Sequence, residues 1–351
     1  MSGPRALFVC DGSPSVGGGH VMRSLTLAQA LSERGWRSTF LADGFVSSLM
    51  DRHDRVGCGR LAVADCAPGT LTEAAAKAAG FDAVIFDHFG MDARHEAGVS
   101  ARLRVAVDDL ADRPHDVDVL IDCNLQRTRA DYRAFAPGAE LLLGPEYAPV
   151  REEFAAVRPA SMARRLRRHE AGSLAGRALV SLGLTDVGGV TARVVRALLP
   201  WNMEAGLDVV VGRRSPSLPE LEALLVEGAC LDLHLDVDAA RMAALMSAAD
   251  VAVGAGGSST WERAVVGLPS VTLVLADNQA PGAAALDRRG LAAAVDMREP
   301  GWRERLLHAV EQATIDEPIT ISEALTDLCD GLGAGRTADR LTARLQSGAR
   351  Q

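Results

Sequence analysis

The sequence predicts an α/β protein built from two doubly wound, Rossmann-like domains. Two observations carry that prediction. Short apolar runs alternate with helical segments along both halves of the chain, which implies mostly parallel sheets with helices on both faces. Each half also holds a strand, glycine turn, helix unit: Gly17–Gly19 leads into a helix with His20 and Arg23 in its first turn, and Gly254, Gly256 and Gly257 lead into a helix near Thr260. In such sheets ligands bind beyond the carboxyl ends of the strands. The 351 residues suffice for two separate cores.

Strands are expected in the first half at Ala6–Cys10, Ser38–Leu41, Arg60–Ala64, Ala83–Asp87, Arg104–Val107, Val117–Ile121 and Glu140–Leu143, with helices such as Thr72–Ala79 between them. From Pro149 to Gly176 the pattern turns charged and strandless. Its basic run, Arg164–Arg168, reads as a solvated helix face. The expected organisation is therefore a first domain over 1–160, a linker over 161–175 and a second domain over 176–351. The second domain repeats the alternation, with strands at Ala178–Leu182, Leu207–Val211, Leu231–Leu235, Val251–Val253, Ser270–Leu275 and Ala292–Val295. Its intervening helices are Val190–Leu199, Pro219–Val226, Ala239–Ala249, Thr260–Val266 and Gln279–Arg289. Trp302–Ala313 and Ile321–Gln346 read as closing helices.

Hydrophobic residues make up 48% of the chain and charged residues 24%, a soluble globular balance. No apolar run approaches a membrane span, and the N-terminus lacks a signal peptide's apolar region. A net charge of −9 argues against nonspecific nucleic-acid binding. The six cysteines form no CxxC pair, so reduced, mostly buried thiols in a cytoplasmic protein are expected, with no metal and no cofactor. A monomer is compatible with all of this.

The chemistry is expected at the strand ends. The glycines Gly17, Gly18 and Gly19 let the backbone approach a ligand, and a helix N-terminus suits a phosphate or carboxylate. The same positive end disfavours imidazolium, so His20 reads as a neutral base. Arg23, one turn on, could hold a phosphate or a carboxylate. Neither the dinucleotide nor the P-loop fingerprint is present. Asp87, Asp108 and Asp109 could serve metal binding or acid–base chemistry, or could cap turns; His95 and His115 fall in polar segments and read as surface residues. In the second half Gly256, Gly257, Ser258 and Ser259 could hold a diphosphate, and Glu262 could accept both ribose hydroxyls or complete a capping box with Ser259. Asn278 and Gln279 lie in a turn expected on the same rim, where Asn278 could instead cap the next helix.

Six motifs in order, GGGH with VMRSLTLAQAL, FDHFG, VDDLAD, PEYAPVREEF, AGGSSTWERAVVGLPS and ADNQ, make the chain resemble the UDP-2,4-diacetamido-2,4,6-trideoxy-β-L-altropyranose hydrolase family of pseudaminic acid biosynthesis over most of residues 5–285. The resemblance implies a glycosyltransferase B arrangement with UDP held mainly by the C-terminal domain. It also implies inverting, metal-independent hydrolysis at the anomeric carbon. It makes His20 the group activating water, puts Gly17–Gly19 near the sugar and diphosphate, and puts Gly256, Gly257, Ser258 and Ser259 on the diphosphate. It assigns Glu262 to the ribose, and places Asp87, His88, Phe89, Asn278 and Gln279 near the sugar or nucleotide. Two departures stand out: Phe89 replaces the family's tyrosine, and Leu184 enters the glycine turn that opens the second domain. A glycosyltransferase using a nucleotide-sugar donor, in surface polysaccharide or flagellin modification, is the alternative that the same architecture serves.

Overall fold

The computed structural model describes residues 3–172, 176–201, 206–315 and 319–348. The chain divides into two compact units: Met1–Pro149 with Leu332–Gln351, and Val150–Gly331.

The first unit opens with β1 (Arg5–Cys10), α1 (Gly19–Ser32), β2 (Arg37–Ala42), α2 (Gly44–His53), β3 (Gly59–Ala62) and α3 (Pro68–Lys77). It continues with β4 (Ala83–Asp87), α4 (Ala93–Ala97), β5 (Leu103–Val107), β6 (Val119–Asp122) and β7 (Glu140–Leu143). All seven strands are parallel, in the order β3-β2-β1-β4-β5-β6-β7. The chain winds outward from β1 to β3, then restarts on the other side at β4. The β1/β4 seam is thus the switch point, where an open α/β sheet leaves a crevice for ligands. Cys10 and Asp87 are paired in register at its carboxyl end. Residues such as Leu7, Val9, Val84 and Phe86 are buried, as the apolar runs of a sheet covered on both faces require.

The second unit begins with α5 (Glu152–Glu170), then β8 (Ala178–Ser181), α6 (Val190–Leu198), β9 (Leu207–Val211), α7 (Leu218–Val226), β10 (Asp232–Leu235) and α8 (Ala239–Ala248). There follow β11 (Val251–Ala255), α9 (Ser259–Val265), β12 (Ser270–Val274), α10 (Ala280–Arg288), β13 (Ala293–Asp296), α11 (Trp302–Ile315) and α12 (Ile319–Leu328). Its parallel order is β10-β9-β8-β11-β12-β13, so the switch point lies between β8 and β11. Val180, Val209, Val211, Val251, Val253 and Val271 form the centre of its core.

The division differs from the sequence expectation in two places. The expected boundary at 160 falls inside α5, which continues through most of the expected linker; residues 173–175 of that linker lie outside the described residues. The basic run is not a solvated face. Arg164 and Arg168 both pair with Asp250, at 2.6 and 2.9 Å, and Arg165 is buried against the Ala249 carbonyl at 3.0 Å. The helix therefore belongs to the second unit. At the other end, the expected single helix Ile321–Gln346 breaks at Gly331, whose φ of +82° ends α12. The last helix, α13 (Gly333–Gly348), belongs to the first unit and packs along α1. The Trp36 indole donates to Thr342 Oγ1 at 3.0 Å, and Arg34 pairs with Asp339 at 2.6 Å.

Leu341 of α13 is fully buried. Leu341→Ala should lower stability by about 2–5 kcal/mol, the usual scale for emptying a core leucine site. Denaturant unfolding measures it; a loss below about 0.5 kcal/mol, the scale of surface substitutions, would show that α13 is not part of that core.

Candidate functional site

The strand-end loops of the first unit bring together the residues that the sequence singled out. Ser13–Gly17 closes a tight turn after β1, with the Gly17 N–H donating to the Ser13 carbonyl at 2.8 Å and Gly17 at φ +91°. A side chain at Gly18 would press on Leu49, whereas Gly19 faces open space. α1 starts there without a side-chain cap. One residue in, His20 is buried and its Nδ1 lies 2.5 Å from Asp87 Oδ1.

Asp87 is fully buried at the end of β4. Arg23 grips it with two bonds, Nε to Oδ2 at 2.7 Å and Nη2 to Oδ1 at 2.5 Å, and Ser24 Oγ donates to Oδ2 at 3.2 Å. Burial alone would raise this carboxyl. The Arg23 guanidinium and then His20 overcome it and hold Asp87 well below the usual carboxylate range. An ionised Asp87 can only accept, so the hydrogen between the two side chains sits on His20 Nδ1. When the ring gives up its second proton, Nε2 carries the lone pair, the arrangement of a carboxylate-supported general base. Phe89 sets its ring edge-on to His20, centroid to centroid 4.4 Å at 84°. Arg23 pairs with a second carboxylate too: Nη1 reaches Asp109 Oδ2 at 2.8 Å. Arg23, Ser24, Leu27, Asp87, Tyr147 and Thr337 help line a narrow pocket. The sequence reading missed Tyr147 and Thr337. Thr337 is brought in by α13, and its buried hydroxyl has no hydrogen-bond partner among the described residues.

Two histidines depart from expectation. His88 is committed to the loop: its Nδ1 accepts from the Gly90 N–H at 2.8 Å, so Nε2 carries the hydrogen and donates to the Cys66 carbonyl at 2.8 Å. Both ring nitrogens are used within the protein, so His88 fastens its own loop. His115, expected at the surface, is buried with Nδ1 2.7 Å from Glu96 Oε1. His95 is half-buried and completes a capping box with Asp92.

Behind Asp109 lies a proton-sharing group. The Tyr132 hydroxyl stands 2.9 Å from Asp108 Oδ2 and 2.6 Å from Asp122 Oδ2, all three residues buried. Tyr132 has one hydrogen for two oxygens. A proton on Asp122 completes the set, and burial followed by the Asp109 charge pushes the Asp122 carboxyl up to about 6. Asp108, despite its burial, is held below its usual value by Arg113 and by the Ala111 N–H, so it works partly as the turn cap that the sequence allowed. Arg127 ties the group together, donating to Asp122 at 2.9 Å and to the Asp109 carbonyl at 2.8 Å.

In the second unit the turn after β11 carries the expected glycines. A side chain at Gly254 would meet the Arg263 guanidinium at 2.3 Å, and one at Gly256 would meet Gln279 Cβ at 3.1 Å. The Gly254–Ser258 turn and the Ala276–Gln279 turn therefore lie side by side, as expected for one rim. Gly257 and Ser258 are exposed. The capping box is not formed, because α9 has no side-chain cap. Glu262 Oε1 instead accepts from Arg151 Nη2 and Nε at 2.7 and 3.0 Å. Gln279 Oε1 accepts from the Leu275 N–H at 3.0 Å and fastens its turn; Asn278 is exposed and caps nothing. After β8, Leu184 lies in a loop pinned by buried Asp186, which accepts from the Thr191 N–H and the Ser215 hydroxyl at 3.0 and 2.7 Å. Among the described residues no group of three or more His, Cys, Asp or Glu is placed to hold a metal ion. No helix among them is long and apolar enough to cross a membrane.

Comparison with known proteins bears on the fold first. Acinetobacter baumannii MurG superposes with a TM-score of 0.66 at 15% identity, covering 97% of this chain and all of that one. The kitacinnamycin glycosyltransferase (0.63, 18%) and the spinosyn forosaminyltransferase SpnP (0.62, 15%) each cover 98% of this chain and all of their own. The fold is thus the glycosyltransferase B class, two doubly wound parallel α/β units. No protein-family model matches the chain. By sequence it is 28% identical over 155 residues to the UDP-2,4-diacetamido-2,4,6-trideoxy-β-L-altropyranose hydrolase of Campylobacter jejuni, which is 43% of this chain and 53% of that protein. It is 24% identical over 276 residues to an uncharacterised protein of Methanocaldococcus jannaschii, 76% of this chain and 54% of the relative. The chain spans about half the length of these curated relatives. The hydrolase match is shorter than the 5–285 range over which the motifs run.

The raised Asp122 carboxyl sets a pH dependence. Its folded pKa, about 6, lies above the unfolded value, so the folded state binds the proton more tightly. The stabilisation is full below about pH 4 and is lost as pH rises through about 6, amounting to about 3 kcal/mol. Asp87 and Asp108, held low, act in the opposite sense and only below that window. Asp122→Asn should therefore gain stability relative to wild type between pH 4 and 7. Melting curves at several pH values measure it, and a pH-independent difference would remove the shared proton.

Proposed function

We propose that the chain is an enzyme that cleaves a nucleotide sugar at its anomeric carbon, with His20 deprotonating the attacking hydroxyl. The observation that carries this is the 2.5 Å contact of His20 with buried, ionised Asp87, which leaves Nε2 as the base. Asp87 orients the ring and stabilises the imidazolium formed when the proton moves. Arg23 keeps Asp87 ionised. The second unit would hold the nucleoside diphosphate, with the Gly256–Ser259 turn on the phosphates and Glu262, anchored through Oε1 by Arg151, offering Oε2 to the ribose. UDP is the nucleotide that the partial match to the hydrolase suggests.

Transfer to a hydroxyl acceptor is the reading that the fold's neighbours favour, since MurG and the glycosyltransferases share this architecture. Hydrolysis, with water as the acceptor, is the second reading; it rests on the partial sequence match and on the His20 and Asp87 motifs. Phe89, packed on His20, offers a ring face but no hydroxyl to a sugar, which points away from an exclusively altrose-configured substrate.

A panel of UDP-sugars, incubated with and without hydroxyl acceptors, separates the readings. Free sugar formed at full rate without an acceptor supports hydrolysis; turnover that requires an acceptor supports transfer; no release of UDP under either condition overturns the proposal. On an active substrate, His20→Asn should lower kcat by about a hundredfold or more, the scale of a general base. A raised KM with near-normal kcat would make His20 a binding group instead. Glu262→Ala should weaken UDP binding measured by calorimetry, and unchanged affinity would remove Glu262 from the ribose.

A further inference from the structure

Arg263 lies one residue beyond Glu262, and neither the fold nor the proposed chemistry uses it. It is 97% buried, being 3% exposed, on the inner side of the turn that follows β11. Among the described residues its guanidinium meets no carboxylate at ion-pair distance, because the adjacent Glu262 is taken by Arg151. Its bonds all go to neutral oxygens. Nη1 donates to Ser259 Oγ at 3.1 Å, and Nη2 donates to Thr260 Oγ1 at 3.1 Å and to the Ala255 carbonyl at 3.2 Å. Nε is buried with no hydrogen-bond partner among the described residues. Burial pushes this guanidinium down to about 10, still well above neutral pH, so it is charged there. The Glu262 charge acts on it only from beyond ion-pair distance, and a buried cation so weakly balanced is costly and favours an anion nearby. The chain makes room for the guanidinium itself: a side chain at Gly254 would meet Nη1 at 2.3 Å.

The hydroxyls report where that anion belongs. An oxygen that accepts from a guanidinium must turn its own hydrogen elsewhere. Ser259 and Thr260 are half-buried at the rim beside exposed Gly257 and Ser258. We infer that Arg263 is a positioning residue for an anionic ligand: it holds the Ser259 and Thr260 hydroxyl oxygens as acceptors, so that both hydroxyls donate to a diphosphate at the Gly254–Ser258 turn. The positive charge behind them strengthens both donors without touching the ligand. The inference deepens the proposed function and rests on reading the second unit as the holder of a nucleoside diphosphate.

Calorimetry on the full-length chain with UDP and with uridine tests it, circular dichroism confirming the fold of each variant. Wild type should bind UDP more tightly than uridine. Arg263→Met should weaken UDP binding about tenfold or more, the scale of a hydrogen bond to a charged group, and leave uridine binding unchanged. The double variant Ser259→Ala/Thr260→Ala should lose a similar factor, and adding Arg263→Met to it should cost little more. Arg263→Lys, which keeps the charge but not the fork, should fall between. Unchanged UDP affinity, equal losses for UDP and uridine, or fully additive losses would each overturn the inference. Should Arg263→Met fail to fold, the double variant decides: a loss confined to UDP supports the inference and unchanged affinity overturns it. A wild-type protein that binds neither ligand overturns the reading of the second unit, and the inference with it.

Discussion

The first unit's chemistry depends on one buried carboxylate. Asp87 has no exposure, yet it is ionised, because Arg23 and His20 together contribute enough charge and hydrogen bonding to overcome its burial. Every other feature of the site follows from that ion. It fixes the hydrogen on His20 Nδ1, binds Arg23 so that its far end reaches Asp109, and joins the carboxyl end of β4 to the first turn of α1. Its own carbonyl accepts from the Asp11 N–H at 2.9 Å, extending the β1/β4 ladder to the edge of the crevice. A neutral residue at this position would leave Arg23 with Asp109 as its remaining carboxylate partner and His20 Nδ1 without a charged acceptor, so the side-chain cluster and the local fold are one constraint.

From Asp87 the charges pass inward in alternating sign: Arg23, Asp109, then Arg127 on the Asp109 backbone, then Asp122. The alternation lets several ionised groups share a low-exposure region at the ends of β4, β5 and β6. It stops at Tyr132, where a second carboxylate faces the same hydroxyl and a proton takes the place of a cation. The sheet order explains why these residues meet. β4, β5 and β6 are consecutive neighbours, so Asp87, Asp108–Asp109 and Asp122 fall on adjacent strand ends.

Much of this was legible in the sequence. The strands were, because buried parallel strands read as unbroken Val, Leu and Ile runs, and the two glycine turns marked both switch points. His20, Arg23, Asp87 and Asp109 were flagged, but spacing could not separate an aspartate that caps from one that holds a histidine. Arg151 and Arg263 escaped notice. An arginine inside a helical pattern reads as a solvated side chain, and its burial depends on strands far away in the sequence. The same blindness hid Arg165 in a run that looked like surface. The return of α13 to the first unit had no local signal either. It rests on Gly331 in the left-handed region and on the close approach of Gly333, where an added side chain would sit 2.3 Å from the Ala148 carbonyl.

The two glycine turns do different physical work, although they look alike as sequence. In the first unit Gly17 supplies a positive φ and Gly18 yields space to Leu49, while the clustered polar groups are side chains that follow. In the second unit Gly254 and Gly256 yield space to Arg263 and Gln279. Gly19 and Gly257 face open space, where a ligand could approach the backbone directly. A glycine-rich turn in this chain is therefore mostly room made for the protein's own side chains. What sets the two turns apart is the polar side chain beside each: a histidine held by an ionised aspartate in one unit, and an arginine with no carboxylate at ion-pair distance in the other.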